Sequence, residues 1–175
     1  MITTVFAHAM HYSVIAAKRF PFFRPALHKS NELMVSIAYR SYLKHGEDGW
    51  KTFWEPAFFK YGQIRAPYIA RYMNIDPQDP KSIGSYHDFE DPVFGVTGHW
   101  EKTSDGHPVR VETACLACDH INKITDGKGC PAFCRKVVKA LEVGTGTTLN
   151  ENYIVEIDSL MSGGEATCRF IHKIN

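Results

Sequence analysis

Val93-Phe-Gly-Val-Thr-Gly-His-Trp-Glu101, the turn Thr103-Ser-Asp-Gly106 and then Val109-Arg-Val-Glu-Thr-Ala-Cys115 form the stretch that decides the fold. Apolar and polar residues alternate with a period of two, the pattern of half-buried strands rather than of a helix. The short polar turn joins the two runs as an antiparallel hairpin. In the second run Val109, Val111, Thr113 and Cys115 share one face, and Arg110 and Glu112 share the other. With the valines inward, Cys115 arrives at the end of a core-facing row. A second hairpin follows downstream: Tyr153-Ile-Val-Glu-Ile-Asp158 and Ala166-Thr-Cys-Arg-Phe-Ile-His172 flank Ser162-Gly163-Gly164. Cys168, Phe170 and His172 fall on one face of that last strand. Between the hairpins, Pro131 suits the first position of a helix capped by Cys130, running over Pro131–Glu142 until a turn at Gly144-Thr-Gly146.

Upstream the grammar is helical. Ser30 or Asn31 can cap a helix in which Leu33, Ile37, Ala38 and Tyr42 recur at helical spacing until Gly46. A second helix after Asp48 carries Trp50, Phe53, Trp54, Phe58 and Phe59, with Pro56 as an early kink and Gly62 as punctuation. A third covers about Ala66 to Met73. Asn74 to Pro92 reads as a long loop, rich in Asp-Pro steps, between a helical half (about 1–80) and a strand-rich half (about 90–175). The expected fold is a single α+β domain over 1–175. Its N-terminal helical half packs on a four-stranded antiparallel sheet, with a helix inserted before the C-terminal hairpin.

The bulk numbers exclude more than they identify. Apolar residues at 44% and charged residues at 22% describe a globular chain rather than a disordered one. A net charge of +1, with dispersed basic residues, argues against nucleic acid as the partner. The N-terminal Met1–Ala17 is interrupted by His8, His11 and Ser13, so neither a signal peptide nor a membrane span is expected, and the expected location is cytoplasmic. A homo-oligomer is compatible with all of this.

All five cysteines lie between Cys115 and Cys168, as a CxxC, a CxxxC and one more. An odd count in this pattern fits metal or catalytic use better than a disulfide framework. A zinc ion would draw thiolates from Cys115, Cys118, Cys130 and Cys134 or Cys168 in some combination. A thiol enzyme would instead use a thiolate nucleophile, with Asp119 and His120 as orienter and acid or base. His99 and His172, each on a strand, are candidates to face the same interior as Cys168. The aromatic second helix, Trp54 and Phe58 above all, either packs a core or walls a cleft against the sheet, where His99 would face it and a small polar-headed ligand would bind.

A cysteine at a strand end, Cys130-Pro-Ala-Phe-Cys134-Arg-Lys opening a helix, and the hairpin Ser162-Gly163-Gly164-Glu165-Ala-Thr-Cys168-Arg-Phe170 together resemble the L-2-amino-thiazoline-4-carboxylic acid hydrolase family. The same ending is similar to the 4-vinyl-reductase-like sensor domains of phenol-responsive regulators, which often hold zinc through Cys and Glu. The likeness covers roughly Val93 to Ile174. By position, Cys115, Cys130, Cys134 and Cys168 match the family's cysteines, and Glu156 falls near the sensors' zinc-binding glutamate. Two departures stand out: Ser159 replaces a sensor thiol, and Arg135-Lys136 replaces an acidic residue of the hydrolases.

The resemblance implies a hydrolase opening a small C–N heterocycle of the aminothiazoline carboxylate type. Its catalytic candidates are Cys134, Cys168 and Cys115 with His120 and Asp119. Arg110 or Arg169 would hold a substrate carboxylate, with His99 and Trp54 completing the substrate site. If a divalent metal such as zinc is bound, its ligands come from Cys115, Cys130, Cys134, Cys168 and Glu156; otherwise no cofactor is expected. The alternative is a small-molecule-binding sensory module with a Cys-ligated zinc.

Overall fold

The computed structural model describes all 175 residues. Four helices dominate the first half: α1 (Ile2–Arg19), α2 (Arg24–His45), the single turn α3 (Asp48–Lys51) and α4 (Trp54–Met73). Two short helices, α5 (Pro80–Gly84) and α6 (Tyr86–Phe94), lead into β1 (Val96–Lys102) and β2 (Pro108–Cys115). Then follow α7 (Leu116–Ile124), the turn α8 (Pro131–Phe133), a π-helical segment at Cys134–Val138, α9 (Lys139–Leu149), β3 (Tyr153–Ser159) and β4 (Cys168–Ile174). The strands form one antiparallel sheet in the order β1-β2-β4-β3, so the last strand is an inner one. The architecture is α+β, with helices packed on one sheet, as the alternation of patterns predicts.

Helical structure extends well beyond the sequence-based assignment. The first 26 residues, to which the pattern assigns no element, are mostly helix. The segment read as a loop after Asn74 folds as α5 and α6, with Asp79 capping Lys81 N–H and Gly95 in the left-handed region ending α6. Val93 and Phe94 therefore end a helix, and the strand starts at Val96. Gly62 does not break α4, which runs through it and through Pro67. Gly144 and Gly146 likewise lie inside α9. The reason is packing. A methyl on Gly62 would collide with the Leu141 carbonyl oxygen and lie 2.7 Å from the Thr145 amide nitrogen, while one on Gly144 would meet the Phe59 carbonyl. These glycines let α4 and α9 touch backbone to backbone.

The orientation of β2 is the reverse of the one its valines indicate. Arg110 and Glu112 are buried on the helix-facing side, while Val109 and Val111, though buried, belong to neither apolar cluster of the core. They lie on the opposite face beside Glu101, His99, Arg169 and Ile171 of the flanking strands. Partners on α6 decide the matter: Arg110 Nε and Nη2 donate to Asp91 Oδ2 at 3.1 and 2.7 Å, and Nη1 donates to Asp88 Oδ1 at 3.0 Å. A paired arginine can be buried where an unpaired one cannot. The main core nevertheless joins both halves, with Trp50, Phe58 and Tyr61 in the same cluster as Val155, Cys168 and Phe170. No helix is long and apolar enough to cross a membrane.

Candidate functional site

Between the helices and the sheet lies a cavity of about 120 Å³, walled by Met34, Phe58 and Phe94 on the helical side and Phe170 on the sheet. An apolar cavity of about 150 Å³ takes a benzene ring, so this one is on the scale of a single small ring. Its walls carry two groups of polar side chains, one of thiols and one of charged residues.

The thiols meet where α7, the π-helical segment and β4 converge. Cys118 is a neighbour of Cys115, Cys134 and Cys168. All four line the cavity. Interaction with Cys115, Cys134 and Cys168 raises the Cys118 pKa, its single S–H serving one of them at a time, and the interaction with Cys118 holds Cys115 and Cys168 below the ordinary thiol value against the effect of burial. Ser162 Oγ donates to Cys134 Sγ at 3.3 Å, and Met161 N–H to Cys168 Sγ at 3.4 Å. The one π-helical stretch of the chain begins at Cys134, and such bulges re-aim a side chain locally. Four thiols are the donor chemistry of a closed tetrahedral zinc site, and Cys115, Cys118, Cys134 and Cys168 would hold the metal that the sensor-type resemblance implies, but no three of their sulfurs lie within 4.8 Å of one another, so the set would have to draw in around the ion.

Two expected ligands do not join them. Cys130 caps α8 as its sequence indicates, and burial raises its pKa, but it stands outside the quartet. Glu156 is on the open face of the sheet, tied to Lys173 Nζ at 2.7 Å.

The charged group is fully internal. Arg65 of α4 donates from Nε to Thr145 Oγ1 at 2.8 Å and from Nη1 to Glu90 Oε2, and Tyr61 Oη donates to Glu90 Oε1 at 2.8 Å. Burial raises the Glu90 pKa, and Arg65 and Tyr61 only partly offset it. His87 Nδ1 lies 3.3 Å from Asp91 Oδ1 and 3.6 Å from Glu112 Oε1, and its Nε2 lies 3.7 Å from Glu142 Oε2. Burial lowers the His87 pKa, but Asp91 and Glu142 outweigh it and the net shift is upward. Glu112 is pushed well above the usual carboxyl range by burial and then by Asp91.

Three side-chain atoms of this group are buried with no partner: Arg65 Nη2, His87 Nε2 and Glu142 Oε2. They face one another, Glu142 Oε2 being 3.9 Å from Arg65 Nη2 and 3.7 Å from His87 Nε2. Those gaps are too long for direct hydrogen bonds and short enough for one oxygen to serve all three. All three residues line the cavity.

Several residues singled out by pattern lie elsewhere. His99 is exposed on the far face of the sheet, paired with Glu101 at 3.0 Å, and Arg169 lies on that face between Glu101 and Asp158. Arg110 is buried but spent on Asp88 and Asp91. Trp54 packs edge-on against Phe6 and Phe53 and does not wall the cavity, whereas Phe58 does. Asp119 is exposed, and His120 is bonded to Ser36 Oγ at 2.7 Å. His172 is wholly buried but bonded through Nδ1 to Tyr153 Oη. Conversely, Arg65, Glu90, Asp91, Glu112 and Glu142 have no signal in sequence beyond His87-x-x-x-Asp91, an i,i+4 pair hidden in the segment read as loop.

No protein-family model and no curated protein matches the sequence. Among solved structures, the chain is similar to the phenol-responsive sensory domain of the transcription activator PoxR with phenol. The TM-score is 0.58 at 15% identity, over 82% of this chain and 74% of that one. It is also similar to trafficking protein particle complex subunit 3 from Naegleria fowleri, covalently bound to palmitic acid. There the TM-score is 0.62 at 10% identity, over 89% and 96% of the two chains. At such identities the shared property is the fold.

Proposed function

We propose that the chain is a small-molecule-binding sensory module whose ligand is a neutral single-ring compound bearing one hydroxyl. The observation that carries this reading is the set of orphaned atoms at the wall of an otherwise largely apolar cavity. Buried polar atoms without partners are costly, and a ligand that supplies them is favoured by the same amount. A hydroxyl fits because it donates and accepts at once: its proton goes to Glu142 Oε2, and its lone pairs take Arg65 Nη2 and His87 Nε2. The volume of about 120 Å³ supports a ring over a long acyl chain. The likeness in fold to a phenol-responsive sensory domain supports the same class.

Hydrolysis of a C–N heterocycle is the second reading. It draws on Cys115, a cavity-lining thiol whose pKa is lowered by Cys118. Against it, the expected proton carriers Asp119 and His120 stand apart from the cavity, and Arg110 and Arg169 have carboxylate partners already.

Calorimetric titration with phenol, cyclohexanol, benzoate and an aminothiazoline carboxylate separates the two. The sensory reading expects binding of phenol and cyclohexanol, weakened at least tenfold in Glu142→Gln, and rejection of benzoate. Turnover of the aminothiazoline, with no binding of either hydroxyl compound, would overturn it.

A further inference from the structure

The other nitrogen of His87 faces a different arrangement. Nδ1, Asp91 Oδ1 and Glu112 Oε1 come from two elements, α6 and β2, and all lie within 4.8 Å of one another. We propose that His87, Asp91 and Glu112 form a second, N/O-ligated site for a divalent cation, open to the cavity and separate from the four thiols. This holds whatever fills the cavity.

Geometry comes first. With metal–ligand bonds of about 2.1 Å, the edge of a tetrahedron is about 3.4 Å. The observed Nδ1–Oδ1 and Nδ1–Oε1 separations are 3.3 and 3.6 Å. The third edge, between the Asp91 and Glu112 carboxylates, is within 4.8 Å; three such ligands leave one position free, and since His87, Asp91 and Glu112 all line the cavity, it opens there.

The surroundings of the ligands match as well. Asp91 is anchored by Arg110 through Oδ2, which leaves Oδ1 for the cation. His87 Nε2 is buried and unpartnered and faces Glu142, as a metal-bound imidazole commonly directs its second nitrogen at a carboxylate. That places the imidazole proton on Nε2 and makes Nδ1 an acceptor. Three acceptors then converge with nothing electropositive between them. Glu112 is itself nine-tenths buried, makes no hydrogen bond and points into this gap. Protons answer the same need in the free protein, as the raised pKa values of Glu112 and His87 reflect. A divalent ion that displaces those two protons leaves the charge of the cluster unchanged.

The donor set of one imidazole and two carboxylates accepts Zn²⁺ or Mn²⁺, whereas thiolates favour zinc. Manganese therefore reports on this site alone. Mn²⁺ titration of the full-length chain, with free Mn²⁺ followed by electron paramagnetic resonance, should show one ion per chain. Affinity should fall at least tenfold in Glu112→Gln and 10–100-fold in Glu142→Gln, and stay within twofold in Cys118→Ser. Glu112→Gln copies the shape of the protonated side chain and so preserves the fold. Wild-type protein alone gives a second readout: spin-echo modulation from one imidazole nitrogen on bound Mn²⁺. Absence of bound Mn²⁺, absence of that modulation, binding that survives Glu112→Gln, or binding lost in Cys118→Ser would each overturn the proposal.

Discussion

Arg65 shows what a single residue can do here and why its role is invisible in sequence. It is 2% exposed, and its partners Glu90 and Thr145 lie 25 and 80 residues away. An arginine or glutamate in a helix defaults to solvent, and no spacing rule pairs residues so far apart. The thiols were legible because cysteines are few and their neighbours in sequence bring them near. Even so, Cys118 displaced Cys130 from the set, since a helix rather than a loop follows Cys115. Arg65→Met should cost about 3–5 kcal/mol in urea denaturation, because it strands the buried Glu90 and Glu142 carboxyls. Adding Glu90→Gln should recover part of that loss. A double variant no more stable than the single would show that charge pairing is not what holds this region.

Among elements, both hairpins were readable from their alternation, whereas the faces of β2 and the lengths of α4 and α9 were not. Alternation fixes which residues share a face, and only the partner element decides which face is inside. Here Asp88 and Asp91 of α6 draw Arg110 inward. Glycine carries a similar ambiguity. In an exposed helix interior, Gly→Ala stabilises by about 0.5–1 kcal/mol. At Gly62 the sign should reverse, with a loss of about 1–3 kcal/mol by thermal or urea unfolding, because the added methyl forces α4 away from α9. A stabilised Gly62→Ala would mean that the two helices are not in backbone contact.

Across the whole molecule, the cavity lies on the seam between the helical layer and the sheet, the place a layered α+β reading picks out for a ligand. The thiol quartet ties that seam together, since it joins the end of β2, α7, the turn before α9 and β4. Zinc added to metal-free protein should therefore stabilise the whole fold, by about 2–4 kcal/mol at 100- to 1,000-fold excess over its dissociation constant. Cys130→Ala should retain that gain and Cys118→Ala should lose the thiol site's share of it, as read by melting temperature with and without zinc in a Glu112→Gln background that removes the second cation site. Equal responses in the two variants would move the metal elsewhere.

The order β1-β2-β4-β3 also has a consequence for how the protein is made. The strand that bridges the two hairpins, β4, is translated after every other element of the sheet. While the ribosome is still adding residues before Cys168, β2 and β3 each present an unpaired edge, and the fourth thiol does not yet exist. Closure of the sheet and completion of the quartet are thus a single event, reached only when β4 has cleared the exit tunnel.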